Sequence, residues 1–153
     1  MPLHGEYEPS SVEWVRDQVA AYEATNGVEG GTFLDLPVII LTTKGAKSGK
    51  LRKMPLMRVE QNGTYAVVAS NGGGPEPAWY RNVAGHPLVE LQDGAVKQDM
   101  LARELSGDEK EEWWKRADAA YPDFPEYRKT AGREIPVFVL EPVKDLIYAA
   151  ATE

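Results

Sequence analysis

The sequence predicts an α+β chain, mainly β, with six short strands in an antiparallel barrel and helices at its flanks. Short β-branched runs are separated by turn dipeptides and mostly paired as hairpins. Nothing alternates strand with helix as a parallel doubly wound sheet requires. No repeat or linker divides the 153 residues, about the length of one domain. Residues 1–153 therefore read as one unit: a helix at about 10–26, a barrel at about 34–142 and a tail at 143–153.

Ser10-Ser11-Val12-Glu13 has the form of a capping box and should start the first helix. Val12, Val15, Val19 and Tyr22 would be its buried stripe, and Asn26-Gly27 its left-handed stop. Residues 36–43 are short and β-branched, hence a buried strand. Residues 44–50 must then turn, 51–61 return as a second strand, and Asn62-Gly63 signals a two-residue hairpin into a third at 64–70. The Gly-Gly-Gly-Pro-Glu-Pro run at 72–77 holds no regular structure, and a short helix follows over 77–84 with proline at its first turn. Residues 89–92 and 95–103 form a hairpin turned at Asp93-Gly94. Ser106-Gly107-Asp108-Glu109 repeats the capping-box pattern and opens a helix through Trp113, Trp114 and Ala117 to about Ala120, with the two tryptophans read as core or interface residues. Residues 122–134 read as a loop with one helical turn, and 135–141 as the sixth strand before Pro142.

Composition narrows the chemistry. No apolar run approaches the roughly 20 residues of a membrane span, and the start lacks the basic flank and apolar stretch of a secretory signal, so the cytoplasm is the expected compartment. The absence of cysteine removes disulfides, thiolate metal sites and cysteine nucleophiles. His4 and His86 are the only imidazoles, read as satisfied surface or loop residues, and no metal is expected. A formal charge of −7 argues against nucleic acid, since phosphate contacts need a cationic surface. Yet six of the 17 cationic residues (Lys44, Lys47, Lys50, Arg52, Lys53 and Arg58) fall between positions 44 and 58, an interval with no Asp or Glu.

That basic interval has a chemical reading. Gly45 and Gly49 would let backbone N–H groups converge, Ser48 adds a hydroxyl, and Lys47 with Arg52 adds charge, together a cradle for an anion such as phosphate. The spacing is not that of a nucleotide-hydrolysing loop, and a solvated hairpin turn is the plain alternative. Residues 67–74 end a strand in small, polar and glycine residues that permit close approach by a flat ligand. Trp79 and Tyr80 follow at a helix start, on different faces, so that one can seal the core while the other faces a pocket.

These segments together resemble the deazaflavin-dependent nitroreductase family of actinobacteria, also described as quinone reductases, which use coenzyme F-420. The resemblance rests on residues 42–49, Arg52, Pro55-Leu56, 69–73 and 79–82, and runs in order from about residue 30 to Pro142. It implies a split β-barrel related to pyridoxamine-phosphate oxidases and flavin reductases, and an elongated anionic cofactor. By resemblance, Lys47, Ser48, Gly49 and Arg52 hold the phosphate, Pro55 edges the ring site, and Val68, Ala69, Ser70, Asn71, Ala78, Trp79 and Asn82 line the deazaflavin. Ala46 stands where relatives commonly carry arginine, and Asn71 where many carry lysine.

Tyr121, Phe124 and Tyr127 fall where the family has an aromatic trio beside the substrate, and Phe124 has no hydroxyl. The implied chemistry is hydride transfer from the reduced coenzyme to a small-molecule quinone, enone or lactone, or nitroaromatic acceptor. Ser70, Tyr121 or Tyr127 would hydrogen-bond the acceptor oxygen. An FMN-dependent reductase and a non-catalytic deazaflavin or flavin carrier are the alternatives. Peripheral contact with a membrane and the oligomeric state stay open.

Overall fold

The structure, a computed structural model, describes residues 3–144, so most of the expected tail lies outside the described residues. The helices are α1 (Glu13–Thr25), α2 (Ala78–Gly85), α3 (Gly107–Ala120) and α4 (Phe124–Thr130). The strands are β1 (Thr32–Phe33), β2 (Leu36–Lys44), β3 (Leu51–Met57), β4 (Val59–Gln61), β5 (Thr64–Val68), β6 (Leu88–Asp93), β7 (Val96–Glu104) and β8 (Val137–Pro142). All pairs are antiparallel, in the order β1-β2-β6-β7-β8-β5-β4, with β3 also paired to β2. The sheet curls into a half-barrel with flanking helices, in keeping with the split barrel expected.

Eight strands replace the expected six for a topological reason. The single strand expected at 51–61 divides at Arg58: β3 pairs with β2 (Ile40↔Pro55), whereas β4 pairs with β5 (Val59↔Ala66). One chain segment thus serves both ends of the curled sheet and must bend between them. Arg58 marks the bend, its backbone N–H donating to Pro37 O at 3.1 Å and its guanidinium to Asp93 at 2.9 Å. The Tyr65 hydroxyl donates to the same carboxylate, and its phenol is pushed up first by burial and then by that bond. The eighth strand is the two-residue β1.

Asn62-Gly63 turns as expected, with φ of 53° and 82°, the positive pair a tight hairpin requires. Asn26 caps α1 in the left-handed region, also as expected. Neither capping box forms. Val12 is the N-cap of α1 and is half exposed, outside the stripe; the Ser10 hydroxyl accepts its N–H. Ser106 caps α3 without a side-chain bond, and the Glu109 carboxylate is drawn to Arg103 at 2.7 and 3.0 Å instead of returning to the cap. The expected single turn within 122–134 is the two-turn α4.

Strand alternation sorts the core. Ile39 and Leu41 point into the barrel with Val89, Leu91, Phe138 and Leu140. Val38 and Ile40 point outward beneath Val15, Val19 and Tyr22 of α1. On β5 and β8, Ala66, Val68, Val137 and Val139 face out beneath Trp113 and Trp114 of α3, which are core residues, and Phe124 of α4. Two helical layers therefore cover different outer faces of one barrel.

Candidate functional site

A cavity of about 300 Å³, large enough for a small flat molecule, is bounded by residues of both helical layers and of the sheet. From the expected set it takes Pro55 on β3, Val68 on β5, Ser70 and Asn71 just beyond it, Trp79 on α2, and all three aromatics, Tyr121, Phe124 and Tyr127. These residues lie far apart in sequence, and the fold brings them together.

The aromatic trio forms one wall. Phe124 stands edge-on to Tyr121 at 4.9 Å and to Tyr127 at 6.3 Å, and the two tyrosine hydroxyls are 2.9 Å apart. Burial, and then the Tyr127 hydroxyl beside it, push the Tyr121 phenol up. Tyr121 therefore keeps its proton at neutral pH, and the hydrogen-bonded pair can offer one hydroxyl proton to a ligand oxygen. Trp79 is buried with its ring 6.3 Å from Phe138. Tyr80 points elsewhere, its hydroxyl donating to Glu104 at 2.8 Å. The expected division between the two faces does not hold: Trp79 both seals the core and lines the cavity, whereas Tyr80 packs its ring 5.5 Å from Phe138 and does not line the cavity.

The segment after β5 is built by backbone conformation. Asn71, Gly72 and Gly73 have φ of 46°, 63° and 86°, three consecutive left-handed residues. Asparagine is among the few side chains that tolerate this region, and here its amide donates to Pro75 O at 2.8 Å. That is what Asn71 does in place of the lysine of many relatives.

The basic hairpin borders a second, open depression lined by Lys44, Gly45, Ala46, Lys47, Ser48, Gly49, Gly85 and His86, with no carboxylate. Its internal bonds revise the cradle. The Gly45 and Gly49 amides turn inward, to Lys50 O at 2.7 Å and Gly45 O at 3.0 Å, and Lys50 N–H donates to the Ser48 hydroxyl. Among the described residues, the Lys47 and Ser48 amides have no acceptor, so they, the Ser48 proton and the two lysines are the groups that can meet an anion. His86 donates from Nδ1 to Leu88 O at 3.2 Å, a satisfied loop histidine that also borders this depression.

Other expected residues sit elsewhere. Arg52 lies outside the depression, its guanidinium 2.9 Å from Glu8 of an N-terminal segment that bonds β3 through Leu51. Lys53 pairs with Glu23 and Arg58 with Asp93, so half of the basic cluster is internally neutralised. Asn82 does not line the cavity: its Oδ1 accepts Ala46 N–H at 3.0 Å and its Nδ2 donates to Thr43 Oγ1 at 3.2 Å, pinning the hairpin to α2. Ala69 is fully buried beneath the surface, and Ala78 is exposed outside the cavity.

The sequence reading missed a second wall. Trp14 and Gln18 of α1, Phe33 of β1, and Met54, Leu56 and Met57 of β3 also line the cavity. Trp14 (51 % exposed) and Phe33 (38 %) stack at 5.9 Å on its rim. Gln18 Nε2 donates to Gly30 O and Thr32 O, which leaves its Oε1 free to accept. The available signal was Trp14 and Gln18 at i, i+4, beside the apolar stripe rather than in it.

The residues present fit an elongated anionic cofactor with a flat ring. The hairpin and Pro55 are joined by one strand, and the four steps from Leu51 to Pro55 span about 13 Å. A cationic end and an apolar, aromatic end thus share one edge of the fold.

Comparison with known proteins agrees. A curated Mycobacterium tuberculosis relative described as an F420H(2)-dependent quinone reductase is 35% identical over 108 residues, covering 70% of this chain and 91% of the relative. Another from the same species, under the same description, is 30% identical over 134 residues, covering 84% and 90%. A solved structure described as an F420-H2 dependent reductase is 54% identical, with a TM-score of 0.66, covering 72% of this chain and 98% of that one. The model of the family described as F420H(2)-dependent quinone reductase matches residues 14–142, and the chain belongs to that family.

Proposed function

We propose that the aromatic cavity receives both the deazaflavin ring and the acceptor, and that the hairpin depression receives the anionic part of the cofactor. The chain is an oxidoreductase that moves a hydride from reduced coenzyme F-420 to a quinone. When bound, the coenzyme supplies the hydride; the protein supplies position, a dry surface and hydrogen bonds. Lys44, Lys47 and Ser48, with the Lys47 and Ser48 amides, hold the anion. Val68, Ser70, Asn71, Pro55 and Trp79 seat the ring. Tyr121, Phe124 and Tyr127 cover the acceptor, and the paired phenols donate to its oxygen as negative charge grows there.

The observation that carries this reading is the aromatic wall itself. Two hydrogen-bonded phenols face the same cavity as the ring-seating residues, which a carrier has no use for. Quinones suit the wall first; enones, lactones and nitroaromatics share the flat electrophilic shape. Among the described residues, no helix is long and apolar enough to cross a membrane, and the proposal places the reaction in the cytoplasm.

Fluorescence titration tests the choice of cofactor. Coenzyme F-420 is expected to bind at least about tenfold more tightly than FMN, a difference of about 1.4 kcal/mol. Equal or reversed affinities would assign the site to a flavin.

A further inference from the structure

We infer that Arg133 is a positioning residue for the reaction: one guanidinium ties the backbone beneath the ring site, residues 69–74, to the end of the helix that carries the aromatic wall. This rests on the proposed reading of the cavity. Arg133 follows α4 by three residues and is half-buried. Its Nη2 donates to Ala69 O at 3.0 Å, Ser70 O at 3.3 Å and Gly74 O at 3.0 Å, and its Nε to Gly74 O at 3.1 Å. Among the described residues it pairs with no carboxylate, so its charge is met by carbonyl dipoles alone.

A second contact joins the same two parts. Gly73 lies so close to α4 that an added Cβ would stand 2.7 Å from Thr130 Oγ1 and 3.5 Å from the Tyr127 backbone. Ser70 and Asn71 on one side, and Tyr127 on the other, line one cavity, and the guanidinium sets their separation. That separation decides whether ring and acceptor stand at reacting distance, where displacements near 1 Å are costly. The charge also lies behind a surface over which the acceptor becomes negative. A lysine ammonium keeps the charge but not the planar fork that reaches three carbonyls.

The test compares Arg133→Ala and Arg133→Lys with Arg128→Ala. Arg128 holds α4 from its other side through Asp118, at 2.7 and 2.8 Å, and controls for lost stability alone. Two readouts are taken. In cofactor-free protein, amide exchange at Gly73 and Gly74, whose N–H groups donate to Ser70 O and Asn71 O, should quicken at least about tenfold in Arg133→Ala and be slowed again by sub-denaturing guanidinium but not by urea. In turnover with menadione at saturating coenzyme, Arg133→Ala should lose about 20-fold in kcat with KM within about threefold, Arg133→Lys should recover little of it, and guanidinium should restore part. Arg128→Ala should keep kcat within about threefold despite a lower Tm. Unchanged exchange at Gly73 and Gly74 would overturn the inference whatever the cofactor, as would a kcat loss that tracks Tm equally in the Arg133 and Arg128 variants. Failure of the wild type to bind coenzyme F-420 would instead overturn the reading of the cavity, and the exchange result separates the two.

Discussion

Tyr127→Ala is expected to lower kcat/KM for a quinone about 30-fold, or about 2 kcal/mol, while the dissociation constant of coenzyme F-420 stays within about threefold. The substitution removes an aromatic face from the wall and strips the Tyr121 hydroxyl of its partner at 2.9 Å. The anion depression shares no residue with that wall. Tyr127→Phe should cost less, since it keeps the ring and loses only the bond. Steady-state rates beside cofactor titrations of the same proteins check this. A proportional loss of cofactor affinity would move Tyr127 into the ring site.

The mirror-image effect is expected from Lys44→Ala with Lys47→Ala. Two charge-assisted contacts are worth roughly 1.5–3 kcal/mol each, so the double variant should bind the coenzyme at least about 150-fold more weakly at low salt, with a flatter salt dependence than wild type. Its kcat at saturating cofactor should stay within about threefold. Arg52→Ala is expected to cost less than either lysine, because Glu8 already holds that guanidinium. Titration over a range of ionic strength checks the order, and a larger loss from Arg52→Ala would show that Glu8 gives way to the cofactor.

How far the sequence reveals the fold and site depends on whether the cause is local. Asn62-Gly63, Asn26 and the β-branched run at 36–43 carry their conformations in their own chemistry, and each appears where expected. The first capping box fails because Val12, not a serine, is the N-cap of α1, and the second loses its carboxylate to a partner outside the helix, Glu109 meeting Arg103 six residues before it. The bend at Arg58 is invisible locally, since it exists to let one segment pair with both β2 and β5. The basic cluster was legible as a cradle around Lys47, Ser48 and Gly49, but not which of its charges stay free, since Glu8, Glu23 and Asp93 claim three of the six from afar. The aromatic trio was legible through family resemblance, and the cavity gathers all three. Trp14, Phe33 and Arg133 had no local signal strong enough to join them to it, because their roles arise only when α1, β1 and the end of α4 meet around the site.

In the proposed reaction this chain brings reduced coenzyme F-420 and a quinone together in the aromatic cavity. An anaerobic single turnover tests it most directly: wild-type protein loaded with the reduced coenzyme is mixed with menadione, and oxidation of the deazaflavin is followed by absorbance. Oxidation is expected to be faster than in free solution by several orders of magnitude, to saturate with menadione and to slow in Tyr127→Ala. Oxidation no faster than in solution, or equal acceleration with reduced FMN in place of the deazaflavin, would contradict it.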